Sequence, residues 1–361
     1  MQGAQQTLAV IFSSMCTIAI LLEVVTGAPL VVAANRDEIY ARPTRPPESL
    51  GEGIAGGVDA LSGGTWLAIR RDGRFAAVTN QRALAPVPPG LRSRGLAVRE
   101  LAAAEDPEAY VAALDPTMYA SMNLVWGNAR GVSIAYSRRE GSLEIERLPP
   151  GIHVLCNDRL GAEGFPRGVR LHDAIAGALA TGGPGPMSPR SGVSPAGAGG
   201  SGSSFDDPGP MSPGSGASPA GAGGSGSSFD DPGPMSPRSG ASPTGGSGSS
   251  VDEPGPISPR SGAWASAGSG SNVGDASPEL RWPDLVPVLQ AALADHARVT
   301  PPPSHLPPEV ARELTATCIH SPAYGTRSST IVVARAGLTL AYLHADGPPC
   351  TAPFVDRIGL L

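Results

Sequence analysis

Met15-Cys16-Thr17-Ile18-Ala19-Ile20-Leu21-Leu22, followed by Ala33-Ala34-Asn35-Arg36-Asp37-Glu38, is the stretch that decides how this chain folds. A cysteine heads the first apolar run, and a second apolar run, 29–34, ends in a charged cluster. Val24 to Ala28 separate the two, so they read as strands joined by a tight connection, with the charges at a strand end. If Met15 is the initiator and is trimmed, Cys16 carries a free α-amine beside its thiol. Those groups have pKa values of about 8 and about 8.5 and can exchange a proton near neutrality. That is the minimal kit of an N-terminal nucleophile whose own amine acts as its base. The competing reading is a buried strand cysteine behaving as a small hydrophobe.

Working outward, Tyr40 to Pro47 reads as an extended, proline-rich loop. Gly51-Glu52-Gly53-Ile54-Ala55-Gly56 fits G-x-G-x-x-G, but it follows a loop and opens no helix. Its glycines are therefore taken as turn residues rather than a dinucleotide site. Arg71-Asp72-Gly73 between the β-rich runs 63–69 and 74–79 predicts a hairpin whose second strand ends at Asn80. A helix is expected over 96–104, and Asp106-Pro107 should cap the next. Strands follow at 122–126, 132–136, 143–147 and 152–156, the last running into Asn157. Apolar periodicity then predicts a helix over 167–180. Late in the chain, helices are expected from Trp282 to His296 and over 308–316. A polar-headed strand, 323–334, is answered by 338–344. Strand pairs linked by tight turns, with helices in blocks between them, indicate an α+β fold of antiparallel sheets covered by helices.

Residues 181–277 have a different character. Imperfect Pro-Gly-Pro-Met-Ser-Pro units begin at Pro184, Pro208, Pro232 and Pro254, each with too few large apolar residues to offset chain entropy. The block is expected to be a disordered Gly/Ser/Pro linker interrupting a single domain made of 15–180 and 278–361. Residues 1–14 are expected to be a non-native or removed extension. All 26 basic residues are arginine, which excludes a Schiff-base or phosphate-loop lysine. A net charge of −6 without a basic stripe offers no footprint for nucleic acid. Cys16, Cys156, Cys318 and Cys350 are far apart in sequence with no C-x-x-C. Neither a zinc site nor a disulfide framework is therefore expected, and a reduced, cytoplasmic setting is. The apolar run 7–25 contains Ser13, Ser14 and Glu23, so it is a poor membrane span. As a secretion signal it lacks an opening positive charge, and cleavage near 25–28 would discard Cys16. The secretory and nucleophile readings exclude each other.

Cys16, Arg36, Asp37, Asn80, Asn157 and Arg327 all fall at or beside expected strand ends. A cysteine attacking an amide carbonyl needs a base, donors for the developing oxyanion and charge to hold the substrate. The Cys16 amine would be the base, Asn80 and Asn157 the donors, and Asp37 would orient the amine. Arg36 or Arg327 would favour the thiolate. Each has a plain alternative: a salt-bridged turn for Arg36 to Glu38, turn caps for the asparagines, a structural pair of Arg327 with Asp37.

Taken in order, several motifs resemble those of the NRDE-motif family, also called the Transport and Golgi organisation protein 2 family. They are Met15-Cys16-Thr17-Ile18, Ala34-Asn35-Arg36-Asp37-Glu38, Gly63-Gly64-Thr65-Trp66-Leu67, Thr79-Asn80, Ser93-Arg94-Gly95, Asn123-Leu124, Gly151 to Asn157 and Tyr324 to Thr330. The resemblance covers 15–180 and 278–361. It implies an Ntn-hydrolase-like, four-layer αββα sandwich of antiparallel sheets. The chain also looks like the choloylglycine-hydrolase and penicillin-acylase branch. Cys16, Arg36, Asp37, Asn80, Asn157 and Arg327 would fill that branch's catalytic places. The arginine–aspartate spacing is tighter here, which leaves open whether Asp37 or Glu38 faces the amine. The expected function is N-terminal-cysteine hydrolysis or acyl transfer at a C–N bond of a small amide or acyl ligand, with no cofactor required. The resemblance equally implies a non-catalytic alternative, haem or hydrophobic-ligand trafficking, with haem as cargo and Trp66 in its groove. His153, His172 and Cys156 are weak axial-ligand candidates.

Overall fold

Thr17–Leu22 forms β1, and all six of its residues are buried, as an apolar strand with a partner on each side requires. The computed structural model describes residues 16–81, 87–182, 280–304 and 306–361. β1 lies within a six-stranded antiparallel sheet between β2 (Leu30–Ile39) and β10 (Gly151–Leu155). β11 (Tyr324–Arg335), β12 (Leu338–Ala345) and the short β13 (Val355–Asp356) continue the sheet beyond β2. A second antiparallel sheet runs in sequence order: β3 (Thr44–Gly51), β4 (Ile54–Asp59), β5 (Leu67–Arg70), β6 (Phe75–Asn80), β7 (Met122–Asn128), β8 (Gly131–Arg138) and β9 (Ser142–Arg147).

Side-chain alternation assigns the layers. Ile18, Ile20 and Leu22 of β1 meet Leu67, Ile69, Phe75 and Ile134 of the second sheet, which forms the core between the sheets. Ala19 and Leu21 point the other way. They pack on Leu171 and Ile175 of α3 (Pro166–Thr181) and on Leu285 and Leu289 of α4 (Trp282–Leu293). The far face of the second sheet, with Ala76, Leu124 and Trp126, is covered by Val98 and Leu101 of α1 (Arg94–Ala103) and Val111 of α2 (Pro107–Ala112). Each such side chain, fully buried, contributes roughly 1.5–3 kcal/mol. The order is helix, sheet, sheet, helix: the αββα arrangement expected. A short α5 (Pro308–Glu313) completes the helices described.

Three expectations change. The charged cluster does not follow β2 but lies within it, because β2 is paired on both sides as far as Ile39. The proline-rich segment is a loop only over 40–43, since Thr44 to Gly51 form the edge strand β3. Its register slips between Arg45 and Glu48, where Pro46 and Pro47 have no amide hydrogen to donate. The described residues hold thirteen strands rather than about ten, β3, β4 and β13 being the additions. Other local expectations match: Gly73 turns the β5–β6 hairpin at φ 81°, and Asp106 accepts from the Ala109 amide at 2.9 Å at the start of α2. Of the linker expected over 181–277, only Thr181 and Gly182 are described. Thr181 ends α3, and Gly182 caps it in the left-handed region at φ 66°. The remainder of that segment, and residues 1–14, lie outside the described residues. No helix among the described residues is long and apolar enough to cross a membrane.

Candidate functional site

At one end of the sandwich the two sheets part around a cleft of about 650 Å³. Its first wall is a cross-strand row. Thr17 stands opposite Asn35, so Cys16 falls on the face of β1 that carries Ile18, the face shared by Ala34 and Arg36 of β2. Arg36 is paired in turn with Ser328 of β11. Arg327 is the extra residue of a β-bulge, since Thr326 pairs with Asp37 and Ser328 with Arg36. A bulge re-aims a side chain, and here it lets both Arg327 and Ser328 face the cleft. Arg327 donates to the Tyr40 carbonyl at 2.8 Å and to Thr44 Oγ1 at 3.0 Å, and its guanidinium lies over the Tyr40 ring. The second sheet supplies Val58 and Asn80, the connection entering β5 supplies Thr65 and Trp66, and the start of α1 with the segment before it supplies Arg92, Ser93 and Arg94.

Four of the six expected site residues thus line one cleft: Cys16, Arg36, Asn80 and Arg327. Asp37 and Asn157 do not. Successive residues of β2 face opposite ways, so Asp37 points to the helix side of the sheet. There it accepts a hydrogen bond of 2.6 Å from Thr326 Oγ1 and lies 4.0 Å from the buried guanidinium of Arg167 on α3. Complete burial outweighs that cation and raises the Asp37 carboxyl to about 6. Arg327 is accordingly not the structural partner of Asp37. Glu38 is the acidic residue of the cluster on the cleft side, 3.4 Å from Arg36 and 3.8 Å from Arg42. Asn157 supports the wall from behind: its Nδ2 donates to the Asn80 carbonyl at 3.1 Å, and its Oδ1 accepts from Arg167 at 3.2 Å.

Of three further cleft residues, Arg94 was marked in the sequence only as part of the Ser93-Arg94-Gly95 motif, and His344 and Asp346 carried no signal. Arg94 opens α1 with its guanidinium donating to the Ser121 carbonyl at 3.4 Å, and burial lowers its pKa to about 10. His344 on β12 shares a 2.9 Å hydrogen bond with Thr330, and burial, followed by the Arg357 charge, holds its imidazole down at about 4. Asp346 completes the row. Among the described residues, Arg94 and Arg327 pair with no carboxylate. Six arginines face the cleft against Glu38, Asp59 and Asp346, so it presents net positive charge beside Cys16, with Trp66, Val58 and Leu61 as apolar surface. The haem-ligand candidates lie elsewhere. His153 contacts the Pro149 carbonyl at 2.7 Å, His172 contacts Asp173 at 3.2 Å, and Cys156 is buried near Thr17. Away from the cleft, the wide spacing of the cysteines is closed by the fold: Cys318 and Cys350 meet His296 and His320.

Residues 15–183 match the sequence model of the family described as Transport and Golgi organisation 2. Transport and Golgi organization protein 2 homologs of Homo sapiens and Bos taurus are each 33% identical to the chain, over 143 and 140 residues. These matches cover 36% of this chain and 50% of each relative, so the chain spans about half the length of the curated relatives it matches. A solved Caenorhabditis elegans N-acylethanolamine-hydrolyzing acid amidase ortholog is similar at a TM-score of 0.33 and 10% identity, covering 47% of this chain and 80% of that one. That likeness is too slight to bear on activity. The shared motifs from Cys16 through Asn157 all fall inside the matched segment, and over that segment the chain is similar to the Transport and Golgi organisation 2 family.

Proposed function

We propose that the cleft is an N-terminal-cysteine amidohydrolase or acyl-transfer site for a small amide or acyl compound that carries an anionic group. The observation that carries this reading is the shared position of Cys16, Arg36, Asn80 and Arg327 on one cleft. Once Met15 is removed, the Cys16 amine takes the thiol proton as sulfur attacks the carbonyl carbon, then returns it to the departing amine. Water, or an acceptor amine, then resolves the thioester. In this reading the Asn80 amide donates to the oxyanion, a contribution typically worth about 3–4 kcal/mol. Arg94 and Arg327 hold the anionic group, and Trp66 the apolar part. Asp37 and Asn157 are positioning residues here, acting through Thr326 and the Asn80 carbonyl.

N-terminal peptide mapping of the active protein, together with labelling by a thiol-directed amide mimic, tests the reading. A mature N-terminus at Cys16 and labelling lost in Cys16→Ser are expected. Retention of residues 1–14 in fully active protein overturns it. The same arginines beside Trp66 also favour a second reading, capture of an amphipathic dicarboxylate such as haem. A Soret shift on titration that survives Cys16→Ala and is lost in Arg94→Gln supports that reading; an unchanged haem spectrum removes it.

A further inference from the structure

Cys318 Sγ and Cys350 Sγ are 3.7 Å apart, and His320 Nε2 lies 3.5 Å from the first and 3.3 Å from the second. His296 stands against His320 with ring centroids 5.0 Å apart, and one ligand atom from each of the four residues falls within 4.8 Å of all the others. Tetrahedral zinc has Zn–S of about 2.3 Å and Zn–N of about 2.0–2.1 Å, which sets S–S edges of about 3.8 Å and S–N edges of about 3.5 Å. The three measured separations are these edges. We propose that His296, Cys318, His320 and Cys350 form a Cys2His2 zinc site, separate from the cleft.

The ligands are held from outside, as metal ligands usually are. His296 Nδ1 is 3.1 Å from the Cys318 carbonyl, and as its donor it leaves Nε2 for the ion. The Cys318 amide donates to the Asp295 carbonyl at 2.9 Å, tying the segment after α4 to the one before β11. Asn35 donates to the carbonyls of Leu293 and Thr317 at 2.9 Å each, and the Ile319 amide donates to Thr326 Oγ1 at 2.9 Å. Residues 317–319 are thus fixed before any ion arrives. Binding exchanges two thiol protons for one divalent cation: two thiolates cancel the zinc charge, and two neutral imidazoles complete four-coordination. A closed site of this kind is structural. It would clip the segments following α4 and preceding β11 to the loop after β12. The same chemistry rejects magnesium and calcium, which prefer oxygen ligands.

The test uses the untagged full-length chain, purified under reducing conditions without chelator. Elemental analysis should give one zinc per chain, falling to background in Cys350→Ser and in His320→Ala. Cobalt(II) added to the metal-free wild type should give the intense visible bands of tetrahedral cobalt and a thiolate-to-cobalt charge-transfer band. That spectrum does not depend on a variant folding. No uptake of zinc or cobalt by the reduced protein overturns the proposal. So does cobalt binding without the charge-transfer band, and so does a Cys318–Cys350 disulfide that persists while the histidines do not respond to metal.

Discussion

Arg167→Met tests the buried pair behind β2. Arg167 is 1% exposed and Asp37 fully buried, with 4.0 Å between guanidinium and carboxylate. At that distance and an effective dielectric constant of about 20, a charge pair is worth about 4 kcal/mol, or about three pKa units. Removing the cation should therefore raise Asp37 further above its value of about 6. A carboxyl whose folded pKa exceeds its unfolded value of about 3.9 holds more protons folded than unfolded. Its contribution to stability is intact below about pH 4 and is lost as the pH rises through the folded pKa. In the native protein that loss levels off just above pH 6, whereas in the variant it continues to higher pH. Between pH 5 and 8 this group costs the native fold about 1.4 kcal/mol and the variant about 4 kcal/mol. The destabilisation caused by the substitution should thus be about 2–3 kcal/mol larger at pH 8 than at pH 5. Urea unfolding of both proteins at the two pH values and constant ionic strength reads this difference directly. An equal destabilisation at both pH values refutes the pairing.

Gly64→Ala should loosen the start of α1, because a Cβ there would lie 2.7 Å from both the Gly95 Cα and the Leu96 amide nitrogen. A cost of about 1–3 kcal/mol is expected, and an unchanged melting temperature would argue against that close approach. His344, held near 4, should stay neutral through physiological pH. Its folded pKa lies below the unfolded value of about 6.5, so its contribution is present above that value and is lost as pH falls towards 4. An NMR titration of its imidazole with a midpoint near 6.5 would contradict the burial argument. Asp106→Ala removes the side chain that accepts from Ala109 and should cost about 1 kcal/mol by thermal unfolding, with no effect on the cleft.

Elements set by local chemistry were legible in the sequence. Asp72-Gly73 required a tight turn, Asp106-Pro107 a helix start, and the apolar run 16–22 a strand, all of which the fold contains. Features that depend on contacts distant in sequence were not. Nothing local in Arg36 to Glu38 reveals that β11, some 290 residues on, will keep β2 extended through its charges. The bulge that turns Arg327 into the cleft is a mismatch between two strands and belongs to neither alone. Arg167 read as an ordinary helix arginine because burial, the property that distinguishes it, is conferred by the packed layers, and the Ser93-Arg94-Gly95 motif gave no sign that Arg94 would be buried at the cleft. The spacing of 296, 318, 320 and 350 matches no ligand pattern, since these residues come from three separate connections.

The alternation of β2 joins these parts. Arg36 and Glu38 face the cleft, while Asn35 and Asp37 face the helix layer. The Asn35 side-chain amide donates to the carbonyls at the end of α4 and just before Cys318, and Ser329 of β11 donates to its Oδ1. Asp37 grips Thr326, which in turn receives the Ile319 amide. The residues holding the proposed zinc loop therefore alternate with those lining the cleft, on one strand with little freedom to rotate. A change in the 317–320 segment can reach Arg36 and the Arg327 bulge through Asn35, through Thr326 and through the His320–Gly325 bridge. Metal removal should consequently disturb the cleft through β2 and β11, whereas α1 and the second sheet, which share none of these hydrogen bonds, should keep their packing.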